Sequence, residues 1–282
     1  MSSELLRSEV KSSCEACPAY HRALLKKLGV AVTGAEYVVA LAGNPNTGKS
    51  TVFNALTGLR QHVGNWPGKT VARAEGGFNF NDKQYRLVDL PGTYSLLSAS
   101  VDEEIARNFI LFGRPDVTVV VADATRLERN LNLTLQILEI TDRVVVGVNL
   151  IDEAKRNGIT VDARQLARDL GVPVVPMAAR RMEGIPELLQ AIEQVATGAF
   201  VARPHRIRQR DPKLERALAV LTHAIETEFP GLPNARWVAL RLLDGDAQIE
   251  QAVRDHTLGE LAEPRTVAQP VEDLKRLEVA LS

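Results

Sequence analysis

Gly43-Asn44-Pro45-Asn46-Thr47-Gly48-Lys49-Ser50-Thr51 follows the apolar run Tyr37–Ala42 and leads into Val52-Phe53-Asn54-Ala55-Leu56. This spacing suits a polyphosphate. Successive backbone N–H groups can curl around an anion only where no side chain blocks the approach and positive φ is accessible, which is why glycines stand at both ends. A helix starting near Lys49 adds its positive end. The Lys49 ammonium would neutralise the β and γ phosphates, and the Ser50 hydroxyl would ligate Mg2+. A strand before and a helix after distinguish this P-loop pattern from an ordinary glycine turn.

Two more motifs follow in the order a nucleotide site needs. Arg86-Leu87-Val88-Asp89-Leu90-Pro91-Gly92 ends a strand. Asp89 there could hold Mg2+ through water, and the Gly92 N–H could meet a γ-phosphate, so that the next loop senses that phosphate. Farther on, Asn149-Leu150-Ile151-Asp152 closes an apolar strand. The Asp152 carboxylate can accept both the ring N–H and the exocyclic amine of guanine; adenine lacks that donor pair and would leave it unpaired. Asn149 would tie this loop back to the P-loop. In Pro176-Met177-Ala178-Ala179-Arg180-Arg181, the Ala179 N–H could meet the guanine carbonyl.

Elements that could carry these loops alternate from about Tyr37 to Thr197. Strand patterns cover Tyr37–Ala42, Ala72–Phe80, Gln84–Asp89, Val117–Ala122, Arg143–Asn149 and Val172–Pro176, with helical patterns at Lys49–Thr57, Asp102–Phe112, Leu127–Ile140, Asp162–Leu170 and Ile185–Val195. The alternation predicts an α/β fold with a mostly parallel six-stranded sheet covered on both faces. One strand should be antiparallel, because Asn81-Asp82 leaves no room for a crossover helix. Past Gly198 the pattern becomes helical, with Pro230, Gly231 and Pro233 as punctuation. The expected division is an extension over 1–35, the nucleotide domain over 36–198, and a small all-helical domain with linker over 199–282.

Bulk properties exclude several classes. The 282 residues carry 34 basic against 35 acidic side chains, so nothing attracts the chain wholesale to nucleic acid. Its two cysteines, Cys14 and Cys17, cannot build a disulfide framework, and with His21 they fall short of a four-ligand zinc site. No apolar run approaches the ~20 residues of a membrane helix. His62 and Trp66 are expected to be solvated or half-exposed, and Trp237 to be core.

Together the loops resemble the small GTPase fold of the translation-factor-related class, a Ras-like P-loop fold. The stretch Leu56-Thr57-Gly58-Leu59-Arg60-Gln61-His62-Val63-Gly64-Asn65-Trp66-Pro67-Gly68-Lys69-Thr70-Val71, with Asp89-Leu90-Pro91-Gly92-Thr93-Tyr94-Ser95-Leu96 and Asn149-Leu150-Ile151-Asp152-Glu153-Ala154, resembles the ferrous iron transport protein B family over about Val38 to Ala196. That resemblance implies a GTP- and GDP-binding, GTP-hydrolysing domain that regulates iron uptake, with Thr70 joining Mg2+ and meeting the γ-phosphate. It also implies a helical domain that slows GDP release, and a transmembrane permease portion in the full-length protein at the cytoplasmic face of the bacterial inner membrane. A homo-oligomer is a further expectation.

Thr93 occupies the position where Ras-like enzymes carry a water-orienting glutamine. Asn46 offers an alternative source of charge stabilisation: its amide oxygen could ligate a monovalent cation along the phosphates. Resemblance to potassium-activated GTPases implies that the Gly64 and Trp66 carbonyls complete that K+ site. Ala178 stands where a serine usually precedes the base-reading alanine, which predicts a grip looser by about 1 kcal/mol. The rival readings are a soluble GTPase of ribosome assembly and a nucleotide switch with negligible turnover.

Overall fold

The computed structural model describes residues 25–26, 28–30, 34–58, 61–97, 100–205, 211–230, 232, 234–256 and 258. Cys14, Cys17 and His21 lie outside them. Seven strands, β1 (Tyr37–Gly43), β2 (Gln61–Asn65), β3 (Ala72–Phe80), β4 (Lys83–Asp89), β5 (Val117–Asp123), β6 (Val144–Asn149) and β7 (Val174–Pro176), form one sheet in the order β2-β3-β4-β1-β5-β6-β7. β1 runs parallel to β4 and β5, and β6 parallel to β5 and β7. β3 alone runs against its neighbours, pairing antiparallel with β2 and β4. The β3–β4 turn puts Asn81 and Asp82 at φ 47° and 59°, the double left-handed turn that matches the twist of a hairpin.

Around the sheet lie α1 (Lys49–Thr57), α2 (Val101–Gly113), α3 (Leu127–Ile140), α4 (Ile151–Arg156), α5 (Ala163–Leu170) and α6 (Ile185–Ala196). Alternation along β1 explains the two layers. Val38, Ala40 and Ala42 face a core shared with Phe109 of α2 and Ile137 of α3. Val39 and Leu41 face Val52 of α1 and Leu188 of α6. Parallel registers Leu41 with Asp89 and Asp123 with Asn149 bring the carboxyl ends of β1, β4, β5 and β6 to one edge, where ligands of such sheets bind.

Three features differ from the sequence expectations, the first being the short helix α4, which lies among none of the helical patterns. The edge strand β2 makes seven strands rather than six; its segment Gln-His-Val-Gly-Asn carries one apolar side chain, so only pairing with β3 shows it. Trp66, expected to be half-exposed, is buried. Its ring meets Phe109 edge-on at 5.5 Å, with the Arg73 guanidinium 5.4 Å from its centroid. His62 is exposed and Trp237 is buried, as expected.

Three further helices, α7 (Pro212–Glu228), α8 (Ala235–Leu243) and α9 (Ala247–Arg254), follow. Among the described residues no helix is long and apolar enough to cross a membrane. Leu218, Ile225, Trp237 and Ile249 belong to the same apolar cluster as α2 and α3, so the helical part shares its core with the sheet. Asn234 Nδ2 donates to the carbonyls of Glu139 and Ile140 at 2.7 and 2.8 Å, closing the end of α3. Arg107 of α2 is 3% exposed and meets Asp246 Oδ2 at 3.4 Å and Gln248 Oε1 at 3.3 Å. Burial draws its pKa down and Asp246 opposes this. Arg107→Ala should lower stability to urea by about 3 kcal/mol, because it removes one partner of a buried pair. Arg107→Met, which keeps the stem, should recover part of that loss.

Candidate functional site

The loop from β1 to α1 is built around close approaches. A Cβ on Gly43 would lie 2.6 Å from the Val121 carbonyl, and one on Gly48, at φ +80°, would run into the Asn149 amide. Any side chain at either place would push the loop off β5 or off β6. Thr47 Oγ1 donates to the Asn44 carbonyl at 3.0 Å, and Asn46 sits at φ 66° on the exposed rim. Gly48 is also the N-cap residue of α1, which has no side-chain cap. The first N–H groups of that helix therefore face outward uncapped, as an anion site requires. Asn44 is buried, and its Nδ2 has no hydrogen-bond partner among the described residues. Ser50 and Thr51 are exposed at the start of α1.

The Lys49 ammonium pairs with Asp89 Oδ1 at the end of β4. Burial pushes the Asp89 carboxyl above its ordinary value, and Lys49 draws it back. The loop after β4 hangs on the P-loop. Leu90 N–H donates to the Leu41 carbonyl and Thr93 N–H to the Gly43 carbonyl at 3.3 Å, while a Cβ on Gly92 would lie 3.5 Å from Pro45. Thr93 is buried, held at the phosphate loop rather than turned to solvent. Downstream, Ser95 Oγ meets Glu103 Oε1 at 3.0 Å and Ser100 caps α2.

The end of β2 and the turn from it to β3 carry the residues expected to complete the metal sites. Gly64 pairs with Arg73, and Thr70 is exposed. The Trp66 carbonyl accepts the Lys69 N–H at 3.0 Å, and the Trp66 N–H donates to Val71. Lys69 Nζ reaches Glu104 of α2 at 3.1 Å, so this turn and the helix after the Gly92 loop are joined. Sequence spacing carried no sign of that link, because the two residues lie 35 positions apart.

At the other end Asn149 is the keystone. Its Nδ2 donates to the Thr47 carbonyl at 2.9 Å, and its Oδ1 accepts the Ala179 N–H at 3.0 Å. This settles the distance between the phosphate loop and the Ala178–Ala179 loop. It also engages the Ala179 N–H, which was expected to be free for a base carbonyl. Ala178 is buried, and its N–H donates to the Glu183 carbonyl. Asp152, in the first turn of α4, keeps its carboxylate partly open at 21% exposure. The residues present suit a nucleotide, with an uncapped helix start and a lysine for phosphates and an acceptor pair for a base, and Ser50, Thr70 and Asp89 are oxygen donors of the kind that a hard cation takes.

A family model described as "Ferrous iron transport protein B" matches residues 37–192, and one described as "FeoB cytosolic helical domain" matches residues 211–277. The chain is 43% identical over 215 residues to the Fe(2+) transporter FeoB of Escherichia coli K12, covering 75% of this chain and 27% of that protein. Against the Salmonella typhimurium FeoB the identity is 44%, again over 27% of its length, so the chain spans about a quarter of these relatives. Among solved structures, the cytosolic domain of Legionella pneumophila FeoB superposes with a TM-score of 0.71 at 36% identity, covering 81% of this chain and 90% of that one. The cytosolic domain of Thermotoga maritima FeoB in a GDP form gives 0.71 at 36% identity, covering 87% and 93%.

Proposed function

Because the chain belongs to the ferrous iron transport protein B family, we propose that it is the guanine-nucleotide-binding, GTP-hydrolysing part of a ferrous iron transporter. The Asn149 bridge carries this reading. By holding the phosphate loop and the base loop together it gives Lys49 and Asp152 a fixed span, and a nucleotide is the ligand with charge at one end and paired donors at the other. Gly43–Thr51 would receive the phosphates through backbone N–H groups, Asp152 would select guanine, and the Ala178–Ala179 loop would close over the base.

For hydrolysis, Ser50, Thr70 and Asp89 would hold Mg2+, which supplies charge neutralisation at the phosphates. Asn46, with the Gly64 and Trp66 carbonyls, would hold K+, which supplies positive charge between the β and γ phosphates as an arginine does elsewhere. The Trp66 carbonyl accepts one N–H and has a second lone pair to give. Lys49 would leave Asp89 for the phosphates. The Gly92 N–H would meet the γ-phosphate, with backbone groups of this loop orienting the water, because Thr93 stands where Ras-like enzymes carry a glutamine. The nucleotide domain would run over 36–198 and the helical domain with its linker over 199–282, with 1–35 as an extension. The helical part, joined to α2 through Arg107, would pass the nucleotide state to a transmembrane permease portion of the longer protein, at the cytoplasmic face of the inner membrane.

Phosphate release from GTP and ATP, in potassium and in sodium chloride, tests the reading. The expected result is release from GTP only, at least about tenfold faster in potassium, with Asn46→Ala erasing the salt difference. Equal release from ATP would defeat the guanine assignment, and equal rates in both salts the potassium assignment.

A further inference from the structure

Arg181 makes a contact that the nucleotide motifs do not contain. Its Nε lies 3.3 Å from Asp152 Oδ2. The loop that carries Arg181 is closed on itself. Ala178 N–H donates to the Glu183 carbonyl at 3.0 Å, Arg181 N–H to Ala178 at 2.8 Å, and Met182 N–H to Ala179 at 3.1 Å. Ala179 is in turn bonded to Asn149. The Arg181 backbone is therefore fixed relative to the strand end that precedes Asp152. Arg156, one turn along α4, reaches the same oxygen only at 3.9 Å, and the two arginines are comparably exposed, at 66% and 57%.

Resting on the reading of Asp152 as the guanine acceptor, we infer that Arg181 is a positioning residue for base selection: its guanidinium pins one edge of the Asp152 carboxylate so that both oxygens face the donors of guanine together. Asp152 needs such a support. It sits in a helix of six residues, and a single-point anchor leaves the carboxylate plane free to turn. A paired acceptor is selective only when both oxygens lie in the plane of the base. Lone-pair stoichiometry allows the arrangement, because a carboxylate has about four acceptor sites. Guanine takes two and Arg181 a third. The arginine also offsets the loss at Ala178, which has no hydroxyl to offer this loop. Its charge raises no barrier to the base, which is neutral.

The test compares GDP with IDP, whose base keeps the ring N–H and lacks the exocyclic amine. Affinities and dissociation rates are measured on the whole chain with the fluorescent methylanthraniloyl derivatives of both nucleotides. Arg181→Ala should weaken GDP about three- to fivefold, the range expected of a half-exposed charge pair. It should weaken IDP less, so that the GDP-to-IDP ratio shrinks. Arg181→Lys should restore part of the ratio, and in an Asp152→Ala background Arg181→Ala should change nothing. A loop that merely loosened would weaken both nucleotides alike; that result, unchanged GDP affinity, or tighter GDP binding from a released competitor would each overturn the inference. Should Asp152→Ala itself leave GDP affinity intact, the reading of Asp152 fails first, independently of Arg181.

Discussion

Lys49→Ala should weaken GTP and GDP binding by about one to two orders of magnitude. A hydrogen bond to a charged group contributes about 1.5–3 kcal/mol, and here the ammonium would face a polyphosphate in a site with little solvent, its side chain being 12% exposed. The nucleotide-free protein is affected as well. Lys49 there stands against Asp89, whose carboxyl is raised by burial and lowered again by the lysine. Removing the ammonium leaves burial unopposed and moves the folded pKa further up.

The sign of the pH effect follows. A carboxyl with a folded pKa above its unfolded value holds its proton more tightly in the folded chain. Its contribution is fully present below the ordinary value of 3.8 and is lost as pH rises through the folded pKa. Lys49→Ala extends that loss to higher pH, so urea unfolding followed upward from the ordinary carboxyl value should show a larger total fall in stability than in the parent. Adding Asp89→Asn should return the stability without returning nucleotide affinity. That separates the two jobs of the lysine, and unaltered GTP affinity in Lys49→Ala would remove the phosphate assignment at its root.

Fixed residue spacing made the loop from β1 to α1 legible. The tight places at Gly43 and Gly48 and the start of the helix at Lys49 follow one another in the chain as they do in space, and α1 spans the residues its pattern predicted. The parallel strands were readable for a similar reason: buried on both faces, Val117–Asp123 and Val144–Asn149 are almost wholly apolar. What escaped depends on partners distant in sequence. β2 is an edge strand whose identity comes from β3. Trp66 lies in a proline- and glycine-bounded turn, and its burial is decided by Phe109. Arg107 and Asp246 are 139 positions apart, and no spacing along the chain joins them. Arg181 meets Asp152 only because its loop closes on itself, and the chain order carries no sign of that contact.

Asp152→Asn should reverse base preference rather than abolish binding. Guanine offers two donors in a row, the ring N–H and the exocyclic amine, and a carboxylate answers both. An asparagine answers the first with its oxygen and sets its own NH2 against the second, a donor facing a donor. Leaving such groups unpaired in a site built to bind them costs about two to three orders of magnitude. Xanthine replaces the amine with a carbonyl, which the asparagine NH2 can satisfy, so XDP should bind the variant better than GDP does, and phosphate release should move from GTP to XTP. The rest of the base end should survive the change, because the Asn149 bonds to Thr47 and Ala179 do not pass through Asp152. The phosphate machinery is then constant between the two proteins, and only the base differs. A variant that still preferred GTP would show that some other group reads the base, while the phosphate loop, which rests on separate contacts, would stand.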